Sequence, residues 1–227
     1  MSEPVVETPA ESSPNPLKLS LSTALIMSIF TLAFTALMAG TYLSTKDTIA
    51  KSSEAQKLVL INAVLPPSAY DNQLLKDELV LGPTPELGLD AGGHIWRARK
   101  GGQPVALVME AIAPNGYAGK IWLVISVMAD GSVGGVRVTE HHETPGLGDY
   151  IDPAKDKNKT NPWINQFTGK SPATLPLERW KVKKDEGDFA YRTGATISAR
   201  AVTDAVARAV RYATEHRETL YQQGEKP

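Results

Sequence analysis

The chain has 227 residues, 24 Lys+Arg against 25 Asp+Glu, no cysteine and a mean hydropathy of −0.20. Without cysteine there is no disulfide framework, no Cys-ligated zinc or iron–sulfur centre and no thiol nucleophile. The near-neutral charge leaves no general footprint for a polyanion, which speaks against nucleic acid as a partner. A hydrophobic content of 42% is enough to build a core.

Residues 1–18 hold four prolines and three glutamates and read as a flexible tail. Residues 19–43 then run for 25 positions without a charge, between Lys18 and Lys46. A bilayer needs roughly 20 apolar residues, so this segment predicts a single transmembrane helix. A cleaved signal peptide has a shorter apolar stretch behind a basic leader, whereas Glu3, Glu7 and Glu11 precede this one. Ser20, Ser22, Thr23, Ser28, Thr31, Thr35 and Thr41 are compatible with a membrane helix, because a hydroxyl can bond back to its own backbone. Lys46, Lys51 and Lys57 follow the segment and only Lys18 flanks it before. Lysine counting alone would therefore place the large domain in the cytoplasm.

Residues 45–64 predict a helix that continues the membrane segment until Pro66-Pro67 stops it. Strand patterns follow at 78–81, 94–99, 105–113 and 121–128, and Asp130-Gly131 marks a hairpin into 133–139. The runs 105–112 and 121–128 are almost continuously apolar, as in strands covered on both faces. Residues 162–167 predict a short helix, and residues 180–184 and 188–192 a second hairpin around Glu186-Gly187. The clearest helix is 198–221, with Val202, Val206, Ala209 and Ala213 forming a core stripe. Residues 44–227 therefore form one α+β domain, with a mostly antiparallel sheet and flanking helices.

Three segments are candidates for chemistry. In Thr193-Gly194-Ala195-Thr196-Ile197-Ser198, a Gly-containing turn leads into the last helix, and Thr196 or Ser198 would cap it. Free N–H groups and the positive dipole end would suit an anion there. His142-Glu143-Thr144-Pro145-Gly146-Leu147-Gly148 is a shaped turn whose backbone can approach a ligand. A metal reading of His142 and Glu143 is weak, because neighbouring strand residues point to opposite faces. A hydrolase using the same pair lacks any visible partner residues. Trp163, Phe167 and Lys170 would suit a planar, anionic ligand, although aromatics in an apolar run more often form core.

Gly116-Tyr117-Ala118-Gly119-Lys120-Ile121, the Asp130-Gly131 turn, the 142–148 segment and Thr193-Gly194-Ala195-Thr196-Ile197-Ser198 occur here in one order. Together they resemble the FMN-binding domain of the G component of the Rnf electron-transport complex. The C component of the sodium-translocating NADH:quinone oxidoreductase shares that domain. The resemblance spans about residues 20–222. It implies FMN attached covalently by a phosphoester to Thr196. Thr193, Gly194, Ala195 and Ser198 would shape the phosphate end, with Glu143, Thr144, Gly146, Leu147 and Gly148 lining the flavin and Lys170 near it. The motif used by the flavin-attaching transferase usually carries an acid six residues before the modified Thr. Here that position is Ala190, with Asp188 nearby. Chain length favours the Rnf protein over its quinone-reductase counterpart.

The family further implies a single-pass anchor in a bacterial inner membrane, with the domain in the periplasm against the lysine count. Its partners would be the other subunits of the complex, the transferase and membrane lipid. Electrons would pass between ferredoxin and NAD, coupled to proton or sodium movement. The competing readings are the equivalent quinone-reductase protein and a flavin-free anchored assembly subunit. The flavoprotein reading needs no catalytic side chain and no metal on this chain.

Overall fold

A computed structural model describes residues 16–222. The tail expected at residues 1–18 falls almost wholly outside them. The chain forms two compact units, residues 1–53 and 54–227.

The first unit is built by helix α1, Pro16–Asn62, whose closing turns from residue 54 belong to the second. Within it Leu19–Lys46 is a 28-residue apolar stretch. At about 1.5 Å per residue it measures roughly 42 Å, against a hydrocarbon layer of about 30 Å. Its apolar side chains all face outward, among them Leu25, Phe30 and Leu37. Four of the seven hydroxyls named above bond back one turn. Thr23 donates to the Leu19 carbonyl at 2.9 Å, Ser28 to Ala24 at 2.8 Å, Thr31 to Met27 at 2.8 Å and Thr41 to Leu37 at 2.9 Å. Each removes a polar group that lipid would leave unsatisfied.

The second unit is organised by a five-stranded antiparallel meander: β1 (Glu78–Leu81), β2 (Gly93–Lys100), β3 (Gln103–Gly116), β4 (Gly119–Met128) and β5 (Val133–Glu140), in sequential order. All five expected strands are present. Side-chain alternation divides the central strands between two cores. Leu107, Met109, Ala111 and Ala113 of β3, with Ile121, Leu123, Ile125 and Val127 of β4, join a core with helix α2, Thr196–Glu215. Ala106, Val108 and Val124 face the other way, towards Ile61, Val64, Leu65 and Leu74. Both faces of the sheet are covered, which explains the nearly unbroken apolar runs of β3 and β4. The Ser126 hydroxyl, fully buried, is satisfied by donating to the Val64 carbonyl at 2.6 Å.

Two expectations are corrected here. Residues 180–192 do not form a hairpin. They carry one isolated bridge between Val182 and Phe189, and Lys183–Asp185 is a 3-10 turn. Trp180, Val182 and Phe189 all bury, and Phe189 sits 4.7 Å from the Phe167 ring and 5.4 Å from Trp180. Backbone bonds from Phe189 N–H to the Lys181 carbonyl at 3.1 Å and from Lys183 N–H to the Phe189 carbonyl at 2.8 Å join the two stretches, and side chains add to them: Arg179 grips Asp188 at 2.8 and 3.1 Å, and Trp180 Nε1 donates to the Leu175 carbonyl at 2.8 Å. The last helix is also divided. α2 ends at Glu215, and α3 (Arg217–Gln222) follows His216. The break lets Leu220 enter the core. It also brings the carbonyls of Leu220 and Tyr221 to Arg97 and Arg99 at 3.4 and 2.8 Å. Both arginines share the Asp77 carboxylate, at 2.6 and 3.0 Å.

Candidate functional site

The 142–148 segment leaves the end of β5 and turns past the first residue of α2. Between them lies a cavity of about 240 Å³. Glu143, Thr144, Leu147 and Gly148 line one side. Gly194, Ala195, Ile197 and Ser198 line another, and Tyr117 contributes from the turn joining β3 to β4. Two segments some fifty residues apart, singled out separately in the sequence, therefore form one site.

Glu143 holds it together. The residue is 3% exposed. Its Oε1 accepts the Ala118 N–H at 3.1 Å, and its Oε2 accepts a short hydrogen bond from the Ser198 hydroxyl. Two glycines make room for the carboxylate. A Cβ on Gly148 would stand 2.6 Å from Ser198 Oγ and 2.9 Å from Glu143 Oε2, and one on Gly116 would stand 2.8 Å from Glu143 Oε1. The backbone of these two positions is that close to the carboxylate, so a side chain would displace it.

This pairing overturns the expected helix cap. Neither Thr196 nor Ser198 caps α2. The N-cap is Ala195, with no side-chain bond, and Thr196 is the first helical residue. Ser198, 1% exposed, spends its hydroxyl on Glu143 instead. The half-buried Thr196 hydroxyl has no hydrogen-bond partner among the described residues. It stands where the first four helical N–H groups lack intrahelical partners.

The turn before α2 is pinned from below. The Tyr150 hydroxyl donates to the Ala195 carbonyl at 3.3 Å and accepts the Arg192 N–H at 3.1 Å. The Arg192 guanidinium lies 4.4 Å from the Tyr150 ring centre and pairs closely with Asp156. Gly194 makes the turn itself, at φ +87°. Asp156 is fully buried. Burial alone would raise its carboxyl, but the Trp163 and Asn158 amides and the Arg192 guanidinium outweigh burial and hold it below its ordinary value. A depressed folded value means the ionised carboxylate stabilises the domain above about pH 4, and that contribution disappears as pH falls through the folded value. Asp156→Asn is expected to lower the midpoint of thermal unfolding at neutral pH and to flatten its decline in acid. Parallel curves for the two proteins down to about pH 2 would count against this role.

The other candidates are placed as follows. Thr193, Gly146 and Lys170 are exposed and, like Thr196, do not line the cavity wall. Lys170 is held by its backbone, its carbonyl accepting the Val133 N–H at 2.8 Å. Trp163 and Phe167 are core residues, 9% and 0% exposed, in edge contact at 5.5 Å. His141 Nδ1 accepts the Glu143 N–H at 3.1 Å, and His142 lies edge-on to Trp122. Among the described residues no group of three or more His, Asp or Glu side chains is arranged to hold a metal. Ala190 carries no acid, and its backbone is fixed by Gln166 Oε1 at 2.7 Å and Trp163 Nε1 at 2.6 Å. Asp188 is committed to Arg179. Tyr117 and Ile197 were not singled out by the sequence. The signal that would have found them is an exposed apolar residue inside each of two motifs already noted.

The cavity pairs apolar walls with the start of a helix, a combination suited to a planar ring carrying an anionic tail. Such a site on this sheet defines the class. Residues 116–211 match the family model of the FMN-binding domain, and residues 17–64 match that of the RnfG N-terminal region. Similar proteins, each named as the G subunit of an ion-translocating oxidoreductase complex, occur in several bacteria. The one from Vibrio atlanticus is 41% identical over 88% of this chain and 92% of its own length. That from Photorhabdus laumondii is 42% identical over 88% and 94%. That from Vibrio cholerae strain O395 is 39% identical over 88% and 92%. The chain belongs to this G-subunit family of ion-translocating oxidoreductase complexes.

Proposed function

We propose that this chain is a membrane-anchored flavoprotein subunit that carries electrons within an ion-translocating, Rnf-type oxidoreductase complex, with FMN joined by a phosphoester to Thr196. The observation that carries the reading is the meeting of the 143–148 loop and the 193–198 turn around one cavity, with a free hydroxyl at the first residue of α2. The flavin supplies reversible electron acceptance; the protein's own groups hold and orient it. Thr196 Oγ1 provides the ester oxygen. The open N–H groups of the first α2 turn face the phosphate charge. Thr193, Gly194 and Ala195 keep the turn slim, and Tyr150 holds its carbonyl. Leu147 offers the ring an apolar contact, while Glu143 keeps Ser198 and the loop in register. Thr144, Gly146 and Gly148 complete the loop; Lys170, whose backbone pairs with Val133 at the far end of β5, is given no part in holding the ring.

The apolar 28-residue stretch of α1, in which Ser28 and Thr31 bond back to their own backbone, supports a single membrane crossing. In this reading the domain faces the periplasm of the inner membrane. A large domain translocates regardless of a few flanking lysines. Outside the cytoplasm a covalent tether prevents loss of the cofactor by dilution. The partners are the other subunits of the complex and, during maturation, a flavin transferase that must accept Ala190 and work on an exposed turn. Intact-mass measurement of the purified full chain tests the reading. The expected mass exceeds that of the polypeptide by one FMN less one water. A colourless protein of unmodified mass, made alongside an active transferase, would instead support a flavin-free assembly subunit.

A further inference from the structure

Outside α1, the described residues leave four large apolar side chains exposed: Val80, Tyr117, Leu147 and Ile197. Three of the four line the same cavity. Tyr117 is 68% exposed, Leu147 55% and Ile197 43%. They come from three separate stretches of chain: the β3–β4 turn, the loop after β5 and the first turn of α2. Isolated exposed apolar residues need no explanation, but three converging on one concavity mark a surface that is covered in use.

Glu143 produces the convergence. Its Oε1 holds the N–H of Ala118, next to Tyr117, and its Oε2 holds Ser198, next to Ile197. Its own loop carries Leu147. One buried carboxylate therefore sets the positions of all three side chains. Tyr117 is the least accounted for. It sits in a tight turn between Gly116 and Gly119, where Gly, Asn and Asp are the usual occupants. Its ring has no aromatic or cationic partner, and its hydroxyl no hydrogen bond, among the described residues.

We propose that Tyr117 is the aromatic wall of the cofactor site, its ring resting against the flavin ring, with Ile197 and Leu147 as the aliphatic walls. The proposal rests on the FMN reading and deepens it, since it assigns the ring's surroundings to a residue remote from the attachment turn. Offset stacking on a planar ring is a favoured use of an exposed phenol. Contact has an optical consequence. A photoexcited flavin takes one electron from an adjacent phenol, and the electron returns, restoring both rings without emission. A phenyl ring stacks equally well but is far harder to oxidise.

The experiment compares the full-length wild type with Tyr117→Phe, both made with an active transferase and purified in detergent. Flavin content is read from intact mass and visible absorbance, and emission per flavin is read before and after unfolding in urea. The Tyr117 hydroxyl bonds nothing, so the substitution removes one oxygen and leaves the fold alone. Both proteins are expected to carry flavin. Native emission from Tyr117→Phe is expected to exceed wild type several-fold, and the two converge once unfolded. Tyr117→Leu, which also removes the electron donor, is expected to brighten similarly. Flavin-loaded variants whose native emission equals that of wild type would overturn the Tyr117 assignment while leaving the cofactor reading intact. A wild-type chain without flavin would overturn the cofactor reading itself.

Discussion

Thr196→Ala is expected to yield a folded, membrane-associated protein with no covalently bound flavin. On a denaturing gel the wild type should show a fluorescent band under ultraviolet light and the variant none. The effect is all or nothing because the ester needs an oxygen at that position. Ser198, two residues further on, is 1% exposed and already donates to Glu143. The cost to the fold should be small. Thr196 is the first residue of α2 and makes no side-chain hydrogen bond among the described residues, and alanine is the better helix former, so the stability change stays within about 0.5 kcal/mol. Flavin loss therefore cannot be attributed to unfolding if the thermal midpoints agree. A variant band as bright as that of wild type would remove Thr196 as the attachment point.

Glu143→Ala should produce the largest loss of stability among changes at the site. It strands the buried Ser198 hydroxyl and takes an acceptor from the Ala118 N–H. Leaving a buried polar group without its partner costs about 1–3 kcal/mol, and the cavity left by the side chain adds to it. A total of about 2–3 kcal/mol corresponds to a fall of roughly 5–10 °C in Tm for a domain of this size. The flavin should suffer as well. Without the carboxylate the β3–β4 turn, the loop and the start of α2 lose their common tie, so flavin incorporation should fall even where folded protein survives. Glu143→Gln retains a carbonyl oxygen for Ala118 and an amide for Ser198 Oγ to accept, and should fall between alanine and wild type. An unchanged Tm for Glu143→Ala would show that the two hydrogen bonds are dispensable.

Much of this architecture is legible along the chain because its determinants are local. The apolar stretch of α1 is written in consecutive residues. The five strands announce themselves by alternating or doubly apolar runs between turn residues, and Asp130-Gly131 turns where expected, with the Ser132 N–H held by Asp130 at 2.9 Å. The buried stripe of α2 follows from a 3.6-residue period. Where local reasoning fails, a distant partner has intervened. Ser198 looks like a helix cap in isolation, but its hydroxyl answers to a carboxylate 55 positions earlier. Residues 180–192 have the composition of a hairpin, yet their aromatic side chains serve a core shared with Phe167. The helix from 198 onwards breaks at His216, and the segment after the break sets its Leu220 and Tyr221 carbonyls on Arg97 and Arg99 of the distant strand β2.

The sequence alone therefore determined the anchor-like helix, the five strand segments, the amphipathic last helix and the family resemblance, all of which depend on residues near one another in the chain. The resemblance grouped the 142–148 and 193–198 segments around one ligand, and the tertiary structure decided that they share a cavity. The tertiary structure also decided that Thr196 rather than Ser198 keeps a free hydroxyl, and that Tyr117 and Ile197 stand at the cavity's rim. The reason is physical. A buried carboxylate must find donors wherever the fold brings them. That choice of partners belongs to the packed chain and leaves no periodic trace in its sequence.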